Sequence, residues 1–299
     1  MIIFMLWLLF ALIPAVGDGL SNIIDGHLSN NKFHNPWVLL FYSGIMELVF
    51  LPFVLLYRLP TIFSFKVMLF FPIIAFLDFL TLIFYYKALK EDDTSIVASL
   101  FSLGKIFVPV LAFFVVGERL TPLQYLAFFV IIFASTLLTA TSDGGKIKFN
   151  KSLLLMLLSS LVHSIEGVIY KYTLESVDWV SGFFYVTIFS LIGFVIIAII
   201  KNKEVRQQFN TFKTNFKLVL FNSSVAFIAS LSSVIAFSLA PITLVKGIFA
   251  TQPFFVIIFT YFLSKYFKTN YKEKMDKGNL IKKLVIFTVM CVALIFVIE

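Results

Sequence analysis

Seven ionisable side chains stand inside long apolar runs: Asp18, Glu47, Asp78, Lys105, His163, Glu166 and Lys246, with Asp25 and His27 just beyond the first run. In hydrocarbon such a group costs about 2.5–3.5 kcal/mol on insertion scales, so each needs a partner, water or a task. Asp18, Asn22 and Asp25 recur at i, i+4 and i+7, which places them on one face of a helix. That face suits the lining of a polar solute's path, with Asp18 deepest, and equally a polar seam against another helix. His163, Glu166 and Tyr170 form a similar stripe at i, i+3 and i+7. A His and a Glu one turn apart can share or relay a proton, or simply hydrogen-bond each other. Asp18 and Glu166 are the candidates to carry a coupled proton, if one is transported.

Asp78 lies between FPIIAFL and FLTLIFYY, and nothing in its own run can neutralise it. Lys105, central in the next run, is its candidate ion-pair partner, or alternatively binds an anionic group of a solute. Lys246 stands about one turn inside its run, where it can line a cavity or snorkel to the interface. Tyr85 and Tyr86 can line a cavity too. At Gln252-Pro253 the missing N–H frees a carbonyl four residues earlier, giving either a solute-facing kink or a static bend. Pro14 and Pro109 allow the same two readings. The substrate-binding candidates are thus Asp18, Asn22, Asp78, Tyr86, Lys105, His163, Glu166, Tyr170, Lys246 and Gln252.

No catalytic constellation accompanies them. A nucleophile elbow, a P-loop, HExxH and a Gly-rich phosphate cradle are all missing, so the reading is neither an enzyme nor an ATP-driven pump, and no cofactor is implied. The lone Cys291 cannot form an intramolecular disulfide, and metal-ligand spacing is absent. The net charge of +8 comes from lysines in short loops, which suits an anionic membrane leaflet better than nucleic acid.

The elements that must carry these residues are membrane helices. Hydrophobic residues make up 60% of the chain and charged ones 13%, with mean hydropathy +1.00, beyond what a wetted protein surface can hide. Spanning-length runs fall at 3–22, 36–57, 67–89, 94–116, 122–140, 153–173, 179–200, 217–239, 242–264 and 282–298. They are continuous rather than alternating, so they predict ten transmembrane helices and not a barrel. The opening MIIFMLWLLF lacks a basic leader region and reads as the first span. Thr121-Pro122-Leu123-Gln124 offers an N-cap, a first-turn Pro and a capping-box Gln. Glu91-Asp92-Asp93 places acids at the positive end of the fourth helix.

The segment from Ala88 overlies the segment from Ala236 at a constant offset of 148, which sets Lys105 against Pro253. Five helices per repeat is odd, so halves 1–141 and 142–299 must have opposite topology, with the solute site between them near the midplane. Lys and Arg crowd the loops after the odd-numbered runs, which by the positive-inside rule puts those loops in the cytoplasm and both termini outside it.

Ala88-Leu89 closing the third run, and Gly117-Glu118-Arg119-Leu120-Thr121 closing the fourth, resemble the EamA-type drug/metabolite transporters. The resemblance implies a solute carrier whose central cavity is lined mainly by helices one, three, four, six, eight and nine. Glu47, on helix two, therefore has the weaker claim. It also implies both termini inside, against the loop charges. The family usually has proline where Lys105 stands, and Tyr266 replaces its second-repeat glutamate.

The expected protein is a multi-pass integral membrane protein, of bacterial cytoplasmic-membrane type. As a secondary transporter it moves a small polar or zwitterionic metabolite, either proton-coupled or by exchange. The alternative is a flippase of a lipid-linked sugar or similar amphiphile. A membrane-embedded enzyme or scaffold lacks both a catalytic constellation and a soluble domain. Its partners are the solute and the bilayer, with no nucleic acid; neither the oligomeric state nor the solute's identity follows from the sequence.

Overall fold

The computed structural model describes residues 2–91, 94–142, 151–263 and 277–298. Among these residues the secondary structure is helical, without a strand. Ten rods follow one another: α1 (Ile2–Asn31), α2 (Pro36–Tyr57), α3 (Phe65–Glu91), α4 (94–116), α5 (Pro122–Ser142), α6 (Lys151–Leu174), α7 (Trp179–Ile200), α8 (Phe209–Leu239), α9 (Ile242–Leu263) and α10 (Lys277–Ile298). Among the described residues seven helices are long and apolar enough to cross a membrane; the shorter apolar stretches Leu100–Val116, Pro122–Leu137 and Val285–Phe296 belong to α4, α5 and α10. Large apolar side chains stay on the outside, among them Leu56, Phe76, Phe114, Phe133, Ile199 and Phe262. A soluble surface rarely carries so many, whereas a lipid-facing one requires them.

Three rods break in mid-course, each just ahead of a proline. α2 interrupts at Val49 and Phe50 before Pro52, α4 passes through the 3-10 turn Gly104–Phe107 before Pro109, and α9 interrupts at Ala250 and Thr251 before Pro253. Proline removes one ladder donor and crowds the preceding turn, which accounts for the position of each break. Pro14, by contrast, lies within an uninterrupted α1.

The end chemistry follows from local sequence. Thr121 N donates to Gln124 Oε1 at 3.0 Å and Gln124 N to Thr121 Oγ1 at 3.2 Å, the reciprocal capping box expected at α5. Asp178 caps α7 by accepting from Ser181 N at 3.1 Å and Ser181 Oγ at 2.7 Å. Gly117 ends α4 at φ +67, the left-handed region that favours glycine. The neighbouring Glu118 Oε1 then accepts from Thr243 N at 3.1 Å, so the glycine-glutamate pair closes one helix and caps the start of another. The acids expected at the start of α4 include Asp92 and Asp93, which lie outside the described residues.

The most extensive helix contacts join α3 to α6, α1 to α8 and α5 to α10. α1 also packs on α9, and α6 on α4; α2 packs on α8, and α3 on α7. Small residues permit the closest of these approaches. Ser159 Oγ donates to Thr81 O at 2.9 Å, Ser164 Oγ donates to Gly104 O at 3.1 Å, and a Cβ at Gly104 would come within 2.2 Å of Ser160 Oγ. Small side chains with hydroxyls are the usual glue between helices in lipid.

Candidate functional site

Between the rods lie two connecting lobes of about 170 and 180 Å³, which share Asp18, Ser43, Glu47, Asp78, Tyr86 and His163 as walls. The first lobe extends along α6 and α7 past Glu166, Tyr170 and Thr187. The second extends along α1 and α8 past Asn22, Asp25, Asn222 and Gln252. Beside the helices expected as the main lining, α2 and α7 line the cavity as well. Gly44 on α2 is the physical reason: the Phe194 ring of α7 lies on its backbone, and a Cβ there would come within 2.0 Å of that ring.

One wall is a closed hydrogen-bond network. Asn222 Nδ2 donates to Asp25 Oδ1 at 2.8 Å, Tyr86 OH to the same oxygen at 3.1 Å, and Tyr85 OH to Asp25 Oδ2 at 3.3 Å. Tyr85 OH also donates to Asn22 Oδ1 at 2.6 Å, and Ser21 Oγ to Asn222 Oδ1 at 2.7 Å. Asp25, from α1, thus ties α3 and α8 together. A satisfied buried network of this kind fixes one arrangement of its helices.

A second group spans α6 and α9. Lys246 Nζ lies 2.8 Å from His163 Nε2, and His163 Nδ1 lies 3.4 Å from Glu166 Oε2. An ammonium can only donate, so Nε2 accepts and the ring of neutral His163 carries its proton on Nδ1, facing Glu166. Gly167 makes room for this lysine, since a Cβ there would come within 2.6 Å of Lys246 Cε. The buried Tyr170 hydroxyl, one turn beyond Glu166, has no hydrogen-bond partner among the described residues.

For Lys105 the sequence leaves two readings open, an ion pair with Asp78 or a group that binds solute. It forms no ion pair with Asp78; its Nζ donates to Phe249 O at 3.0 Å and lies 5.4 Å from the Phe101 ring centre. Phe249 is four residues before Pro253, so its carbonyl is the one that the proline leaves without an amide donor. The charge on α4 is spent on the break in α9.

Of the substrate-binding candidates, Asp18, Asn22, Asp78, Tyr86, His163, Glu166, Tyr170 and Gln252 line one or both lobes. Lys105 and Lys246 line neither, being drawn back into helix contacts. Sequence reasoning discounted Glu47, which in fact reaches both lobes. It also passed over Asn222, although an asparagine inside FNSSVAF was itself a signal. Neither Asp18, Glu47 nor Asp78 makes a side-chain hydrogen bond or ion pair among the described residues.

Residues 5–140 match the model of the EamA-like transporter family. No curated protein matches the chain. Among solved structures, 28 chains match. One of them, described only as "Crystal structure of protein", superposes with a TM-score of 0.65 at 13% identity and covers 95% of this chain and 97% of its own. At that identity the likeness is one of fold. The seven apolar helices fit an integral, multi-pass membrane protein, and the family match covers residues 5–140 of it.

Proposed function

With an EamA-like transporter sequence over residues 5–140 as the premise, we propose a secondary carrier of ten spans that moves a small polar metabolite through the central cavity. The observation that carries this reading is the set of cavity carboxylates that make no side-chain hydrogen bond or ion pair among the described residues. Asp18, Glu47 and Asp78 stand in a membrane interior where an unused charge is costly, and such groups mark solute paths and proton relays.

Helix pairing supports two inverted repeats. α1 on α8 and α9 is answered by α6 on α3 and α4, and α2 on α8 by α7 on α3. α4 and α9 both break in mid-course, and Lys105 and Phe249, from those two breaks, meet. Broken helices facing a midplane site are a recurring device of carriers, whose repeats rock about the site to alternate access. On this reading the carboxylate of Glu166 or that of Asp18 carries a coupled proton, with His163 as the neighbour that would exchange it with Glu166.

Purified protein in liposomes, offered a mixture of labelled polar metabolites under an imposed pH gradient, tests the proposal. Uptake above protein-free liposomes is expected. Absence of uptake and of exchange for every component would overturn it.

A further inference from the structure

Among the described residues the cavity wall carries carboxylates and no ammonium. Asp18, Glu47 and Asp78 line both lobes, each partly exposed to them, and Glu166 lines one. The two nearby lysines are engaged elsewhere, Lys105 with Phe249 O at 3.0 Å and Lys246 with His163 Nε2 at 2.8 Å, and neither forms cavity wall. Both lysines stand behind the wall, near enough for their charge to act on Asp18 and Asp78, but among the described residues none presents an ammonium to an entering carboxylate or phosphate. A positive group meets three carboxylates with unused lone pairs, which are strong acceptors for charge-assisted hydrogen bonds.

The remaining wall agrees with this. Tyr86, Phe183, Phe194 and Phe227 surround the acids with aromatic surface, which attracts ammonium groups over ring faces and buries an apolar frame, while the Phe237 ring already has Lys246 Nζ 5.2 Å from its centre. Among the described residues no three His, Cys, Asp or Glu side chains stand close enough together to hold a metal ion. The acids are spread around a space larger than a bare ion. The withdrawn lysines also remove the anion-binding half that a zwitterion would use.

On the premise of the carrier reading above, we propose that the solute is an organic cation: an amine or ammonium on an aromatic or apolar frame, held by Asp18, Glu47 and Asp78.

Three probes that share one frame and differ in charge decide it: phenethylamine, 3-phenylpropionate and phenylalanine, titrated at neutral pH into the purified full chain with calorimetric and thermal-stability readouts. Phenethylamine is expected to bind and raise the melting temperature, phenylalanine to bind at least about tenfold more weakly, and phenylpropionate not to bind. Glu47→Gln and Asp78→Asn should each weaken the amine by about tenfold or more, and either alone suffices if the other fails to fold. Binding of phenylpropionate or phenylalanine as tight as that of the amine, binding of none of the three, or folded variants with unchanged affinity would overturn the cation assignment. Uptake of anionic or zwitterionic metabolites by the liposomes, without uptake of the amine, would overturn it while leaving the carrier reading intact.

Discussion

Lys105 Nζ lies 3.0 Å from the carbonyl oxygen of Phe249, the oxygen that Pro253 cannot reach because it has no N–H. A lysine on α4 thereby replaces the backbone donor lost on α9, and two broken helices become one braced crossing. The charge that looked like a cavity feature is a structural part of the frame around the cavity.

Lys105 and Pro253 should therefore be energetically coupled. Pro253→Ala restores an N–H that can reach Phe249 O, so it should stabilise Lys105→Met more than it stabilises the native chain. The expected difference is about 1–3 kcal/mol, the cost of leaving a buried acceptor unsatisfied. Thermal unfolding of the four proteins in one detergent measures it. Equal effects of Pro253→Ala in both backgrounds would show that the lysine does not serve that carbonyl.

The Asp25 network predicts a different signature. Asn222→Leu removes a donor to Asp25 and the acceptor of Ser21 together, leaving buried polar groups without partners. The loss should be about 1–3 kcal/mol, while Tyr85→Phe, which removes a single hydroxyl, should cost about 1 kcal/mol. Denaturation series in detergent compare them. An Asn222→Leu protein as stable as the parent would mean that the network does not hold α8 in place.

Asp178 sits outside the spans, and its effect depends on pH. Partial burial pushes its carboxyl up, but the hydrogen bonds from Ser181 and the charge of Arg58 outweigh that and hold it below the usual carboxylate value. With the folded value depressed, the capping contribution is present above the unfolded value and lost as pH falls through the folded one. Asp178→Ala should cost about 1 kcal/mol at neutral pH, and the gap from the parent should close in acid. A gap that persists unchanged at low pH would assign the loss to packing rather than to the charged cap.

The helices were legible from the sequence because uninterrupted apolar runs of spanning length admit few other structures in lipid. The α5 capping box was legible because its partners are local. Most of the cavity lining was legible as well, since a polar stripe such as Asp18, Asn22 and Asp25 has few reasons to exist in a membrane helix. What stayed hidden were contacts set by the third dimension. The engagement of Lys105 by Phe249 O depends on where α4 crosses α9, and no periodicity within either helix encodes that crossing. Glu47 reaches the cavity because Gly44 lets α7 lie close against α2, a relationship between helices far apart in sequence.

The account rests on a carboxylate that moves a proton with the solute, and Glu166 in liposomes tests this most directly. With an imposed pH gradient, the native chain should accumulate solute above the external concentration, and without a gradient it should exchange internal for external solute. Glu166→Gln, or Asp18→Asn if that is the coupled group, should keep exchange and lose accumulation. If both variants still accumulate solute as the native chain does, neither carboxylate carries the proton and the central claim is wrong.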